Sequence, residues 1–330
     1  MEQKGKKPGI KEVAKEAGVS PTTVSRVLNN RGYISEETKQ KVYQAMDRIG
    51  YYPNEIARAL LNNRTYFIGV IMPSVTSPFH GEVVYHLEHF LSDRGYKMLL
   101  CNSNNKVDTE LEYVSMLRRN QVDGIIVGTH NQLLEEYENI NMPIITIDRY
   151  LGDDIPVVAS DNYRIGELAT KHLLEKGCKH ILCIRGDSRL KMPGNNRSAA
   201  YLDVMKQYGY ETMVLEAPFV LPLVEKQKRI YEMLNEHPEI DGIFAGDDLL
   251  AVSALHVARE KQIKVPEDLK IIGVDGTKQT LEYIPELTTI RQSSEEIARI
   301  AVEKMIDKIE GKKTESTIDL PVTLLLGKTT

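Results

Sequence analysis

The 330-residue chain is 42% hydrophobic and 27% charged, the balance of a globular protein, and it is longer than one hydrophobic core usually serves. It has no run of about 18 apolar residues that would span a membrane. The charged N-terminus "MEQKGKKPGIKEVAKEAG" lacks the apolar stretch of a secretory signal, and Cys101, Cys178 and Cys183, with no CxxC pair, read as buried thiols in a reducing cytosol. The net charge of −5 is unevenly spread. Residues 1–64 hold 12 Lys and Arg against 7 Asp and Glu, and the rest hold 30 against 40. A basic head suited to a polyanion therefore precedes an acidic body that is not.

In the head, Ile10, Val13, Ala14 and Ala17 recur at i, i+3, i+4 and i+7, one apolar stripe of a helix. Gly18 ends that helix, Ser20 caps the next, and Pro21 follows where its missing N–H costs nothing. At about 100° per residue, Val24, Val27 and Leu28 gather on one face of the second helix. Thr22, Ser25, Arg26 and Asn29 gather on the other. A third helix starts at Ser35, carries Val42, Ala45, Met46 and Ile49 inward, and closes at Gly50. Three short helices with a tight turn between the first two make a helix-turn-helix module, whose second helix fits the major groove. Arg26 is then placed to grip a guanine edge bidentately.

The stretch "IKEVAKEAGVSPTTVSRVLNNRGYISEETKQKVYQAMDRIGYYPNEIARAL" resembles the headpiece of the LacI/GalR family of bacterial transcription regulators, through "VAxxAGVSxxTVSRVLN" and "VSxxTxxKVxxAxxxLxYxPN". The resemblance implies base-reading positions at Pro21, Thr22 and Arg26. Because Pro21 offers no polar side chain and no N–H, reading is expected to rest on Thr22 and Arg26.

After Pro53, "EIARALL" is a helix of under two turns ended by Asn62 and Asn63, too short to be stable without a partner. In the resembling family this segment is a hinge helix that pairs with its symmetry mate in the minor groove and wedges a leucine between base pairs. That implies Leu60 as the wedge, Ala57 near the groove floor and Arg58 near phosphate. The DNA-contacting set expected from head and hinge is Ser20, Pro21, Thr22, Ser25, Arg26, Asn29, Asn54, Ala57, Arg58 and Leu60.

From Tyr66 the pattern becomes short apolar strands alternating with helices: "YFIGVIMP", "KMLLCNS", "DGIIVGT" and "PIITID". The alternation restarts after Asp161 with "HILCIRGD", "TMVLEAP", "GIFAGDD" and "LKIIGVD". Two such runs predict two doubly wound parallel-sheet subdomains. The late "LTTIRQSSEEIARIAVEKMIDKIEG" adds a strand and a long amphipathic helix. The body resembles the periplasmic-binding-protein-like effector domain of the same family, most recognisably in "YIPELTTIRQ" and "IIGVDGT". That resemblance implies three chain crossings between subdomains.

The expected organisation is an all-α helix-turn-helix headpiece over 1–52, a hinge helix and linker over 53–64, and an α/β effector-binding and dimerisation domain over 65–330. Within the last, one subdomain covers about 65–161 plus 291–323 and the other about 162–290 plus 324–330.

No G-x-G-x-x-G, Walker loop, G-x-S-x-G or H-E-x-x-H is present, and the eight histidines are scattered, with solvent or a satisfied core as their usual fate. No catalytic constellation, metal or cofactor is expected. Ligands in open α/β sheets sit beyond the carboxyl ends of strands. Polar residues cluster there: Ser77 and Phe79, Asp148 and Arg149, Arg185 and Asp187, Asp247 and Asp248, and Asp275. Carboxylates and arginines with aromatic plates suit sugar hydroxyls, although an Asp at a strand end can equally cap the next helix.

The resemblance implies effector contacts at Phe79, Asp148, Arg197, Phe219, Asp275 and Gln292, with Gly246 where some members carry asparagine. With Arg149 and Asp247 these form the expected effector set. "IDRYLGDDIPVVASDNY" further resembles the sucrose- and fructoside-utilisation repressors of Gram-positive bacteria.

The expected function is therefore a cytoplasmic, homodimeric repressor that reads a pseudo-palindromic DNA duplex and is switched by a sugar or sugar phosphate in the body's cleft. The alternatives are a regulator governed by a protein co-repressor docking on the body, or a sugar-processing enzyme on the same scaffold. With no long heptad tail after the last strand, a dimer is expected rather than a tetramer.

Overall fold

The computed structural model describes residues 8–28, 32–52, 64–119, 121–131, 136–137, 140–152 and 154–330, and it divides into two compact units, Met1–Thr65 and Tyr66–Thr330.

The first unit holds α1 (Ile10–Ala17), α2 (Pro21–Leu28) and α3 (Glu36–Ile49). Gly18 ends α1 in the left-handed region at φ 67°, a conformation that favours glycine, and Ser20 Oγ accepts the Thr23 N–H at 3.0 Å. Ser35 caps α3 in the same way, accepting from the Thr38 N–H at 3.3 Å. Val13, Ala14, Val24, Val27, Val42, Ala45 and Met46 form one small core. Ile10 shares the stripe but stays 37% exposed.

The second unit contains two six-stranded sheets. In the first, β1 (Phe67–Met72), β2 (Lys97–Asn102), β3 (Gly124–Val127), β4 (Ile144–Ile147), β5 (Val157–Ser160) and β11 (Thr317–Leu320) lie in the order β11-β5-β4-β3-β1-β2. In the second, β6 (Ile181–Arg185), β7 (Met213–Glu216), β8 (Gly242–Ala245), β9 (Lys270–Asp275), β10 (Thr288–Arg291) and β12 (Thr323–Leu325) lie in the order β12-β10-β9-β8-β6-β7. All pairings are parallel except β12 against β10, which closes the second sheet with an antiparallel edge. The chain passes between sheets after β5, after β10 and after β11.

The strands are apolar at consecutive positions because both faces are covered. Ile68, Val70 and Met72 face α4 (Pro78–Asp93) and the helix Ser294–Ile309, while Ile71 on the opposite face packs with Leu117 and Ile125. A fully buried side chain of this kind contributes about 1.5–3 kcal/mol. The second sheet repeats the scheme with Leu182, Ile184 and Ile243 on one face and Cys183, Phe244 and Ile272 on the other. The three cysteines are free and buried. Among the described residues, no helix is long and apolar enough to cross a membrane.

Candidate functional site

The carboxyl ends of both sheets face a shared cleft, a cavity of about 550 Å³. The first lobe contributes Ser77 before α4, Phe79 and His80 in the first turn of α4, then His130 beyond β3 and Asp148 beyond β4. The second contributes Arg185 from β6, Arg197 near the start of the helix Asn196–Tyr208, Phe219 beyond β7, Asp247 beyond β8 and Asp275 at the end of β9. Gln292, just past β10, lies where the chain returns to the first lobe.

Arg197 is held on several sides. Its Nε donates to Asn162 Oδ1 at 2.6 Å and its Nη1 to the Gly246 carbonyl at 2.7 Å. Asn162 in turn donates to Asp148 Oδ1 at 3.2 Å, so one relay links both lobes. Gly166 allows this approach, since a Cβ there would sit 2.0 Å from the Arg197 carbonyl oxygen.

Asp148 and Asp275 take positive φ angles of 51° and 121°, which side chains other than glycine rarely adopt. Each such strained residue costs about 1–3 kcal/mol, and such strain concentrates at binding sites. Asp275 Oδ1 accepts from Gln292 Nε2 at 2.7 Å, while the buried Gln292 Oε1 lacks a partner in the protein. Burial, then Asp248 and Asp247, raises the Asp275 carboxyl well above its usual range. Burial also raises Asp148 and Asp247. Asp247 has both roles weighed for it: its carboxylate caps the next helix by accepting the Leu250 N–H at 2.7 Å, and it lines the cavity.

His130 stacks on Phe219 from the opposite lobe, and His80 lies beside it, 5.9 Å between ring centroids. Burial pushes the His80 imidazole down to about 4. Burial, with His80, Arg149 and Arg197 nearby, pushes His130 down to about 3. Both rings are therefore neutral at pH 7.

One expected effector contact is corrected: Arg149 does not line the cavity. Asp148 turns toward the cleft, which directs its neighbour beneath the sheet, where Arg149 Nη1 meets Glu110 Oε1 at 3.1 Å with the two side chains 4% and 0% exposed. Glu110 also accepts from Tyr137 Oη at 2.7 Å and Asn131 Nδ2 at 2.7 Å. Asp187 likewise stays out of the cavity, engaged by the Arg189 guanidinium at 2.6 Å. Conversely, His80, His130, Asn162 and Lys226 belong to the site and were not anticipated. His130 follows β3, and the strand-end rule that found Asp148 and Asp275 would have found it.

Glu82, one turn into α4, spans the lobes: its carboxylate accepts the Lys278 N–H at 3.2 Å and the Ser294 hydroxyl at 2.9 Å. In the first unit, Ser20, Pro21, Thr22 and Arg26 are exposed along one side of α2 and Ser25 is half-buried. Asn29, Asn54, Ala57, Arg58 and Leu60 lie outside the described residues.

Such a pair of units, a capped helix-turn-helix and a two-lobed α/β body with a polar cleft, defines a bacterial DNA-binding regulator with an effector domain. Residues 9–54 match the bacterial regulatory proteins of the lacI family, and residues 65–328 match the periplasmic binding proteins and sugar binding domain of the LacI family. The chain belongs to the LacI family and is a DNA-binding repressor of that type. It is 43% identical over 325 residues to the sucrose operon repressor of Pediococcus pentosaceus, covering 98% of this chain and 99% of that one.

Among solved structures, a periplasmic binding protein/LacI transcriptional regulator from Alkaliphilus metalliredigens complexed with D-xylulofuranose is 28% identical, with a TM-score of 0.75 over 80% of this chain and 99% of that one. The Lac repressor dimer bound to operator matches in fold at 24% identity, with a TM-score of 0.85 over 98% of this chain and 99% of that one.

Proposed function

We propose that this chain is a cytoplasmic homodimeric repressor whose hold on a pseudo-palindromic operator is set by a small sugar or sugar phosphate, of the sucrose or fructose type, in the cleft. The observation that carries this reading is the placement of Arg197 among Asp148, Asp247 and Asp275 at the carboxyl ends of two facing sheets. Carboxylates accept sugar hydroxyls, Arg197 donates to them, and Phe79 and Phe219 cover the C–H faces. The sucrose operon repressor at 43% identity and the furanose-bound neighbour support the ligand class.

Residues 1–52 act as the reading head, 53–64 as the hinge and 65–330 as the effector and dimerisation domain. Thr22 and Arg26 read bases, Ser20, Pro21, Ser25 and Asn29 support them, and Asn54, Ala57, Arg58 and Leu60 engage the minor groove. Exposed Val220, Val224, Leu249 and Tyr283, between 49% and 76% accessible, supply apolar surface for a symmetric pairing. A ligand that favours one lobe arrangement shifts operator affinity by its differential binding. The relatives matched along the whole length are repressors, so the reading is of a regulator and not of an enzyme.

Titration of sucrose, fructose, fructose phosphates and control sugars into the protein on a fluorescent pseudo-palindromic duplex, at fixed salt, tests the proposal. Release by one fructoside is the expected result. Retained DNA with every sugar, and tighter binding with a phosphorylated carrier protein, would overturn it in favour of a protein co-repressor.

A further inference from the structure

The second lobe brings three basic side chains to the cavity wall: Arg185 at the end of β6, Arg197 in the helix Asn196–Tyr208 and Lys226 in the helix Leu223–Glu236. They meet around Gly246 and Asp247. Arg197 Nη1 donates to the Gly246 carbonyl at 2.7 Å, and a Cβ on Gly246 would lie 3.6 Å from the Arg185 Cα. Arg185 Nη1 reaches the hydroxyl of Ser198, next to Arg197 in the chain, at 3.4 Å. Burial raises the Asp247 carboxyl, and the Leu250 N–H, Lys226 and Arg197 all pull it back.

The protein leaves part of this donor capacity unused. Arg185 Nη2 donates to Glu216 Oε1 at 3.0 Å, but its Nε is a buried donor without a partner. Arg197 gives Nε to Asn162 and Nη1 to Gly246, and its Nη2 makes no hydrogen bond or ion pair among the described residues. The Lys226 ammonium makes none among them either. A buried donor is costly unless something accepts from it. The nearby carboxyls do not cancel these cations, because burial raises Asp148, Asp247 and Asp275 toward their uncharged forms. Glu216 is held low by the Ser188 hydroxyl and by Arg185, and its ion pair is with Arg185.

The hydroxyls of a free sugar carry no charge to set against these cations. A phosphate group presents three strong acceptor oxygens with net negative charge, matched to guanidinium and ammonium donors. Phe219 brings the two chemistries together: a Cβ on Gly186 would sit 3.0 Å from its ring, so the plate that covers a sugar's C–H face lies beside Arg185. The cavity of about 550 Å³ has room for a sugar and its ester group, with Asp148, Asp275 and Gln292 Oε1 left for the hydroxyls.

We propose that Arg185, Arg197 and Lys226 form a phosphate subsite, so that the effector is a phosphate ester of a sugar and not the free sugar. This rests on the effector reading above and narrows it to the phosphorylated class.

Calorimetric titration of the full-length protein in phosphate-free buffer tests it, with sucrose, sucrose 6-phosphate, fructose, fructose 1-phosphate, fructose 6-phosphate and inorganic phosphate. The expected result is that one ester binds at least about tenfold more tightly than its parent sugar and than inorganic phosphate, the worth of added charge-assisted hydrogen bonds. Lys226→Met, at a half-buried helix position, keeps an apolar stem and removes the charge. That variant is expected to shrink the ester's advantage at least about threefold.

An advantage under tenfold for every ester over its parent sugar overturns the proposal and leaves the effector reading standing. Inorganic phosphate that binds as tightly as the best ester overturns it too, because the sugar part would then contribute nothing. An unchanged advantage in Lys226→Met removes the subsite from this wall. No binding by any sugar or ester overturns both the proposal and the reading beneath it.

Discussion

The rings of His130 and Phe219 lie face to face across the cleft, 4.5 Å between centroids and 6° between planes, although 89 positions separate them in the chain. His130 is positioned by what flanks it. Thr129 Oγ1 donates to Glu110 at 2.8 Å and Asn131 Nδ2 donates to the same carboxylate at 2.7 Å. A buried ion pair behind the wall therefore holds both neighbours of a ring that lines the cleft. Phe219→Ala is expected to weaken sugar binding by about tenfold, the worth of a lost aromatic contact of roughly 1.5 kcal/mol. Binding to operator without sugar should be unchanged, which paired calorimetry and anisotropy would check.

The buried pair itself predicts a stability effect. Glu110→Ala leaves Arg149 without its carboxylate at 4% exposure, and breaking such a pair costs about 3–5 kcal/mol. Urea unfolding should show the midpoint falling with the slope retained. A loss under about 1 kcal/mol would mean that Arg149 finds another partner.

At the other unit, Arg26 is the basic side chain on the exposed row of α2. Arg26→Ala is expected to relax discrimination at one base pair per half-site by about 1–3 kcal/mol. Competition among single-base operator variants measures this, and a uniform loss across all positions would reassign Arg26 to phosphate contact.

Asp275→Asn should abolish the response to sugar and spare DNA binding. Asparagine cannot supply the second oxygen acceptor or the carboxyl proton, and Asp275 belongs to the body unit and not to the reading head. A variant released from DNA at the wild-type sugar concentration would remove Asp275 from the effector set.

Asp248 makes stability depend on pH. Burial lifts its carboxyl to about 7, while Thr289 Oγ1 and the Gly276 N–H donate to it at 2.6 and 2.8 Å. Its folded-state value exceeds the unfolded one, so the folded protein binds more protons between about pH 4 and 7 and stability falls as pH rises through that window. Asp248→Asn preserves the shape, accepting from Gly276 and donating to Thr289, without the ionisation. Relative to wild type it should gain stability between pH 5 and pH 8 in parallel urea curves.

Glycines at helix ends, the Ser20 and Ser35 caps and the apolar runs of β1, β3, β4 and β8 made the helices and strands legible in the sequence, because those signals act within a few residues. The class of protein was legible through the family resemblance of whole motifs, and that resemblance also pointed to the residues expected in the cleft. Asp148, Asp247 and Asp275 occupy strand ends that can be counted along the chain, whereas Arg197, near a helix start, was pointed to only by the resemblance.

Only the tertiary structure decided which way each polar residue points. Arg149 follows Asp148 yet faces a carboxylate 39 positions away, because a buried charge must be matched wherever the partner lies. His80 and His130, scattered in sequence, become one wall with Phe219 when the carboxyl ends of two separate sheets face one cleft, the chain crossing between them three times. Periodicity reports which side of an element is apolar. The pairing of polar groups is settled by distances that exist only after the lobes have packed.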